Sequence, residues 1–117
     1  MSETSGDCIF CRIVAGDIPA EVLGRNDHAI AITDVRPQAP FHALVIPHDH
    51  HENAAASAAA DPAIVGHLVS LADDVARAAG NDDYRLIANT GAGAGQTVFH
   101  THLHVLGGES RMTESLI

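Results

Sequence analysis

The 117-residue chain contains no lysine; its six basic residues are all arginine, set against fifteen acidic ones. That absence excludes chemistry built on a lysine amine, namely a phosphate-binding P-loop, a Schiff base or a pyridoxal phosphate enzyme. Basic charge is scarce altogether. A formal net charge of −9 and an isoelectric point near 5.2 disfavour a nucleic-acid backbone or an anionic membrane surface as partner. No stretch approaches the ~18 uninterrupted apolar residues of a membrane span. The start, Met1 to Asp7, is polar and acidic without an apolar signal region, so the expected location is cytoplasmic. The two cysteines, Cys8 and Cys11, then read as thiols rather than a structural disulfide. The length suits one domain with a single core.

What the chain has in excess is histidine, nine in all. Three of them fall at alternate positions in Phe99-His100-Thr101-His102-Leu103-His104-Val105-Leu106. On a β-strand this pattern puts His100, His102 and His104 on one face and Phe99, Thr101, Leu103 and Val105 on the other. An exposed strand face normally mixes polar residue types, so one functional group repeated three times points to a site. A single metal held by all three is disfavoured, because the Cα atoms of His100 and His104 would stand about 13 Å apart on a strand. At least one imidazole is left for other work, and the middle one suits a nucleophile or general base near neutral pH.

Taken in order, Cys8 to Gly16 has apolar residues at helical spacing and reads as a short helix. Its Cys-x-x-Cys lacks the following histidine of a haem attachment site and the preceding strand of a thioredoxin-type site. Two thiolates would supply half of a zinc site, completed by histidine from elsewhere; two buried structural thiols are the alternative. Glu21–Arg25 and His28–Thr33 read as a hairpin turning at Asn26-Asp27, followed by a proline-bounded loop, Asp34 to Pro40, and a third strand, Phe41–Pro47. His42 suits a site wall, whereas His28 reads as an ordinary surface residue. In the loop His48 to Asn53 one or two histidines could complete the cysteine site, and spacing does not choose which. Ala54 to Ala60 suggests a helical turn or two. Asp61-Pro62 then opens a long helix ending at Gly80, with His67 structural. Tyr84 to Asn89 is a fourth strand. The glycine run from Thr90 to Thr97 leads into a strand, so it is no dinucleotide fingerprint; it is either a flexible connection or a cradle of backbone N–H groups for an anion.

These motifs together resemble the histidine triad (HIT) family, close to its Hint branch of nucleoside phosphoramidases. The resemblance rests on Cys8 to Cys11, Ile18-Pro19-Ala20, Asp34 to Pro40, His42, Leu44 to Pro47, Gly95 to Val98, the triad itself and Gly107-Gly108. It implies a domain over 8–108, between a disordered tail at 1–7 and a C-terminal tail at 109–117. The implied fold is α+β, a five-stranded antiparallel sheet with one long and one short helix, usually dimeric. The implied reaction is attack on the α-phosphorus of an AMP- or GMP-linked phosphoramidate, through a nucleotidyl-histidine intermediate. By position, His102 would be the nucleophile, with His104 and His42 orienting the network or bonding to the phosphate. Asn89, Gln96 and Thr97 would contact the phosphate, Thr97 keeping the hydroxyl of a serine common there. Asp34 would hold the ribose, and Ile9, Phe10, Ile13, Ile32 and Val35 would wall the base. Cys8, Cys11, His50 and His100 would hold a structural zinc, with no organic cofactor. Two departures are Thr101, at a usually apolar position, and a tail without the tryptophan that often shapes the leaving-group pocket in that branch. The competing functions are a dinucleoside polyphosphate hydrolase and a non-catalytic zinc- or nucleotide-binding module.

Overall fold

The computed structural model describes residues 8–108; the two expected tails lie outside these residues. Five strands form one antiparallel sheet in the order β1-β2-β3-β5-β4. They are β1 (Val22–Arg25), β2 (Ala29–Thr33), β3 (Phe41–Pro47), β4 (Tyr84–Ile87) and β5 (Leu103–Gly107). The helices are α1 (Ile9–Ala15), α2 (Ala54–Ala60) and α3 (Ala63–Ala78). The expected α+β architecture is therefore present, with a second short helix where one or two turns were foreseen. Alanine's high helix propensity and an Asn53 side chain that accepts from the Ala56 N–H explain α2. The long helix begins one residue later than its signals suggest, with Asp61 Oδ1 accepting from the Ala63 N–H at 3.1 Å.

Alternation along β2 and β3 sorts the core into two layers. Ala29, Ala31, Ala43, Val45 and Val105 form one face, against Leu68, Leu71, Ala72 and Val75 of α3. Three alanines on that face let the long helix approach the strands closely. Ile30, Ile32, Leu44 and Ile46 form the other face, where Cys8 and Phe10 pack from α1. α1 shields only part of this second face, and the uncovered part is where the histidines gather.

The histidine stretch departs from expectation. β5 begins at Leu103, so His100 and His102 precede the strand instead of belonging to it. The Thr101 N–H donates to the His51 carbonyl at 2.9 Å, outside the ladder. Its hydroxyl is tied to Ser57 Oγ at 2.6 Å. With its backbone donor committed to the loop before α2, this segment leaves the ladder and its histidines need not share one direction. β4 likewise stops at Ile87, short of Asn89.

Candidate active site and metal centre

His100 turns inward. It is fully buried, and its Nε2 donates to the Pro47 carbonyl at 2.9 Å. A carbonyl can only accept, so the neutral ring carries its proton there and turns the Nδ1 lone pair the other way. That Nδ1 lies 3.4 Å from Cys8 Sγ, 3.4 Å from Cys11 Sγ and 3.0 Å from His50 Nδ1. Cys11 Sγ is also 3.2 Å from His50 Nδ1. The four ligand atoms stand within 4.8 Å of one another, the compact Cys2His2 set that tetrahedral zinc takes. The chemistry fits as well as the spacing: burial is the main force holding the His100 pKa down to about 4, which keeps the imidazole neutral, and the Pro47 carbonyl fixes its tautomer as an outer-shell partner does. Cys8 and Cys11 come from the first turn of α1, whose N-cap is Cys8 itself. The cluster thus fastens that helix to the loop after β3.

His102 and His104 face a different space. A cavity of about 500 Å³ is lined by both rings, by Asp34 and Thr97, and by apolar side chains of α1 and β2. Its size is that of a small-molecule site. The hydrogen bonds around it fix the tautomers in sequence. The Gln38 backbone N–H donates to His42 Nδ1 at 2.9 Å, so neutral His42 keeps its proton on Nε2. That Nε2 donates to His104 Nδ1 at 2.9 Å, with Asp34 Oδ2 also 3.3 Å away. His104 therefore holds its own proton on Nε2. Independently, His102 Nδ1 donates to the His100 carbonyl at 2.8 Å, which leaves Nε2 of His102 with a free lone pair.

Burial is the leading cause that lowers the pKa of all three rings. His104 falls to about 4, helped by the neighbouring His102 and His42. In His42 the Asp34 carboxylate opposes the shift, and in His102 the bond to the His100 carbonyl does. All three are neutral at pH 7, so the tautomers just derived are the ones present.

Of the residues expected to wall a base, Ile9, Phe10, Ile13, Ile32 and Val35 all line the cavity. Phe10 also meets the His102 ring edge-on, with centroids 5.0 Å apart. His42 stands behind His104 instead of at the wall. Two expected phosphate contacts are placed elsewhere. Asn89 is not among the lining residues. Gln96 is buried and its amide is spent on the loop: Oε1 accepts from Gly91 N–H at 2.8 Å, and Nε2 donates to the carbonyls of Glu52 at 2.7 Å and Val98 at 3.1 Å. Gly91 and Gly95 both adopt positive φ, 91° and 97°, so the loop follows a path that favours glycine. Leu44 is a lining residue that sequence reasoning misses; register with Ile32 and His104 puts it there. The Gln38 N–H is a backbone donor, for which side-chain patterns give no signal.

Fold and site define a class: an α+β protein whose sheet carries a neutral, hydrogen-bond-ordered histidine cluster beside an apolar cavity, with a Cys2His2 cluster behind it. The HIT domain family model matches residues 15–111, and the chain belongs to that family. An HIT-like protein of Synechocystis is 46% identical over 103 residues, 87% of this chain and 90% of its own length. The solved HIT family hydrolase of Clostridium thermocellum superposes with a TM-score of 0.85 at 39% identity, covering 89% of this chain and 92% of its own. A zinc-bound histidine triad protein of Mycobacterium smegmatis gives 0.81 at 35% identity, over 92% of this chain and 78% of its own.

Proposed function

We propose that this chain hydrolyses nucleoside 5′-phosphoramidates of AMP or GMP through a nucleotidyl intermediate on His102, working as a homodimer. The observation that carries the reading is the free Nε2 lone pair of His102 on a cavity-lining ring, enforced by the Nδ1 bond to the His100 carbonyl. That lone pair attacks the α-phosphorus, the new N–P bond forms, and the P–N bond to the leaving amine breaks. The imidazolium so created still donates from Nδ1 to the carbonyl, which stabilises its charge. The hydroxyl of Thr97, at the cavity wall, gives the departing amine the proton it needs and takes one back from the water that attacks in the second step. His104 Nε2–H, oriented by His42, donates to a phosphoryl oxygen. Water then cleaves the N–P bond, releasing the nucleoside monophosphate and restoring His102.

The isoleucines, Phe10 and Val35 receive the purine, and Asp34 accepts from the ribose hydroxyls. Gln96 acts one step back, holding the glycine loop so that Thr97 meets the substrate. Cys8, Cys11, His50 and His100 would hold zinc, which supplies structural cross-linking there; the phosphoryl transfer belongs to the imidazoles. Intact-mass spectrometry tests the reading after brief incubation with adenosine 5′-phosphoramidate and an acid-free denaturing quench. A nucleotidyl adduct on the wild type and none on His102→Ala is expected. Undiminished AMP release by His102→Ala would overturn it. Sedimentation at micromolar concentration checks the dimer.

A further inference from the structure

Five of the nine histidines serve the two clusters above: His42, His102 and His104 at the cavity, and His50 and His100 beside the cysteines. The other four are His28, His48, His51 and His67, from three separate segments of the chain, and they collect on one rim of the molecule. His28, His48 and His51 line a single pocket of about 120 Å³ together with Asp27, Asp49 and Asp61. His67, from α3, stacks on His28 with centroids 3.7 Å apart and ring planes 14° off parallel.

The backbone makes this convergence specific. β2 pairs with β3 so that Ala29 faces Pro47, which sets His28 opposite His48 one step further along. The bond from His48 N–H to the His28 carbonyl, 2.9 Å, continues the ladder to that pair. Directly opposed residues of an antiparallel pair carry Cβ atoms about 4.5–5.5 Å apart, a span across which two imidazoles can chelate one ion. Stacking on His67 covers a face of the His28 ring, while ring nitrogens ligate from the edge. His28 is thus held in place without being blocked. Among the described residues the ligand atoms here do not form a group as compact as the Cys2His2 cluster, so an ion at this place requires the exposed side chains of His48 and Asp49 to change rotamer.

We propose that this pocket is a second, surface site for a divalent transition metal of the zinc class, ligated by His28 and His48 with His51 and carboxylate from the three aspartates completing it. Imidazole in the set selects zinc, nickel, copper or cobalt over magnesium and calcium, which take oxygen ligands. The site is independent of the reaction proposed above.

The test is a titration of full-length apo chain with cobalt(II), read by absorption, with calcium present in a parallel arm. Two equivalents are expected at micromolar concentration. The first brings the intense thiolate-to-cobalt charge-transfer band of the cysteine cluster; the second adds only weak visible bands and persists in excess calcium. The double variant His28→Asn/His48→Asn is expected to keep the first, weaken the second at least tenfold, and leave phosphoramidate turnover unchanged. One equivalent in the wild type would overturn the proposal, and so would a second that calcium displaces, that saturates only at millimolar cobalt, or that survives in the double variant. Because the thiolate band and turnover report the other two sites separately, failure here is distinct from failure of either.

Discussion

At the residue scale, the behaviour of each histidine follows from what accepts or donates at its second nitrogen, and this has a consequence with pH. His104 has a folded-state pKa near 4, below the ~6.5 of an unfolded histidine. The groups that face it are His42, His102 and Asp34. Between those values the unfolded chain binds more protons, so the contribution of neutral His104 is complete above pH ~6.5 and lost as pH falls toward 4. Urea unfolding of the wild type and of His104→Gln is expected to show a stability gap that narrows through this window. A constant gap would mean the ring is not held neutral by the fold. Gln96 gives a second prediction. Its truncation to alanine leaves the Gly91 N–H and the Glu52 and Val98 carbonyls without their partner, at ~1–3 kcal/mol for buried unsatisfied groups. Chemical denaturation should register this loss, and kcat should fall as Thr97 loses its position. A direct phosphate ligand would instead show its main effect on KM with stability intact.

At the element scale, most of the sheet was legible because apolar residues, turn residues and prolines punctuate it at strand-length intervals. The histidine stretch was harder. Its period-two pattern predicts a strand from Phe99 with all three histidines on one face, which fails for His100 and His102 because pattern says nothing about which partner takes each backbone N–H. The bond from Thr101 to the His51 carbonyl ends the ladder early and lets His100 turn to the cysteines while His102 reaches the cavity. The Cys2His2 cluster shows the same limit. Spacing left the loop histidines equivalent, and only the resemblance favoured His50, the one whose Nδ1 lies 3.2 Å from Cys11 Sγ. Close helix–sheet packing was also invisible. A Cβ at Gly24 of β1 would stand 2.9 Å from Val75 Cγ1 of α3, and a β-branched valine has little freedom to give way. Gly24→Ala is therefore expected to cost ~1–3 kcal/mol by overpacking. An unchanged denaturation midpoint would show that β1, an edge strand, simply moves aside.

At the scale of the whole molecule, the two clusters are coupled through α1. Cys8 and Cys11 lie at its first turn, and Ile9, Phe10 and Ile13 of the same helix wall the cavity. The helix has seven residues, too short to be stable alone, and the second sheet face it covers is otherwise incomplete. Whatever holds the cysteines therefore also holds the apolar wall of the cavity. Chelation of the metal, or Cys11→Ser, should lower stability and weaken nucleotide binding together, while leaving in place the His42–His104 pair on β3 and β5 and His102 just before β5. If the lost cross-link is worth ~2 kcal/mol, the Tm of a domain of about 100 residues falls by roughly 8–16 °C. Below that lowered Tm, KM for the phosphoramidate should rise several-fold with kcat reduced far less, because the ring of His102, the proposed nucleophile, is oriented by the His100 carbonyl and not by the thiolates. The split between the two constants is the decisive reading. A collapse of kcat at unchanged KM on metal removal would mean that the Cys2His2 cluster governs the nucleophile itself, and the division of labour among the three triad histidines would have to be redrawn.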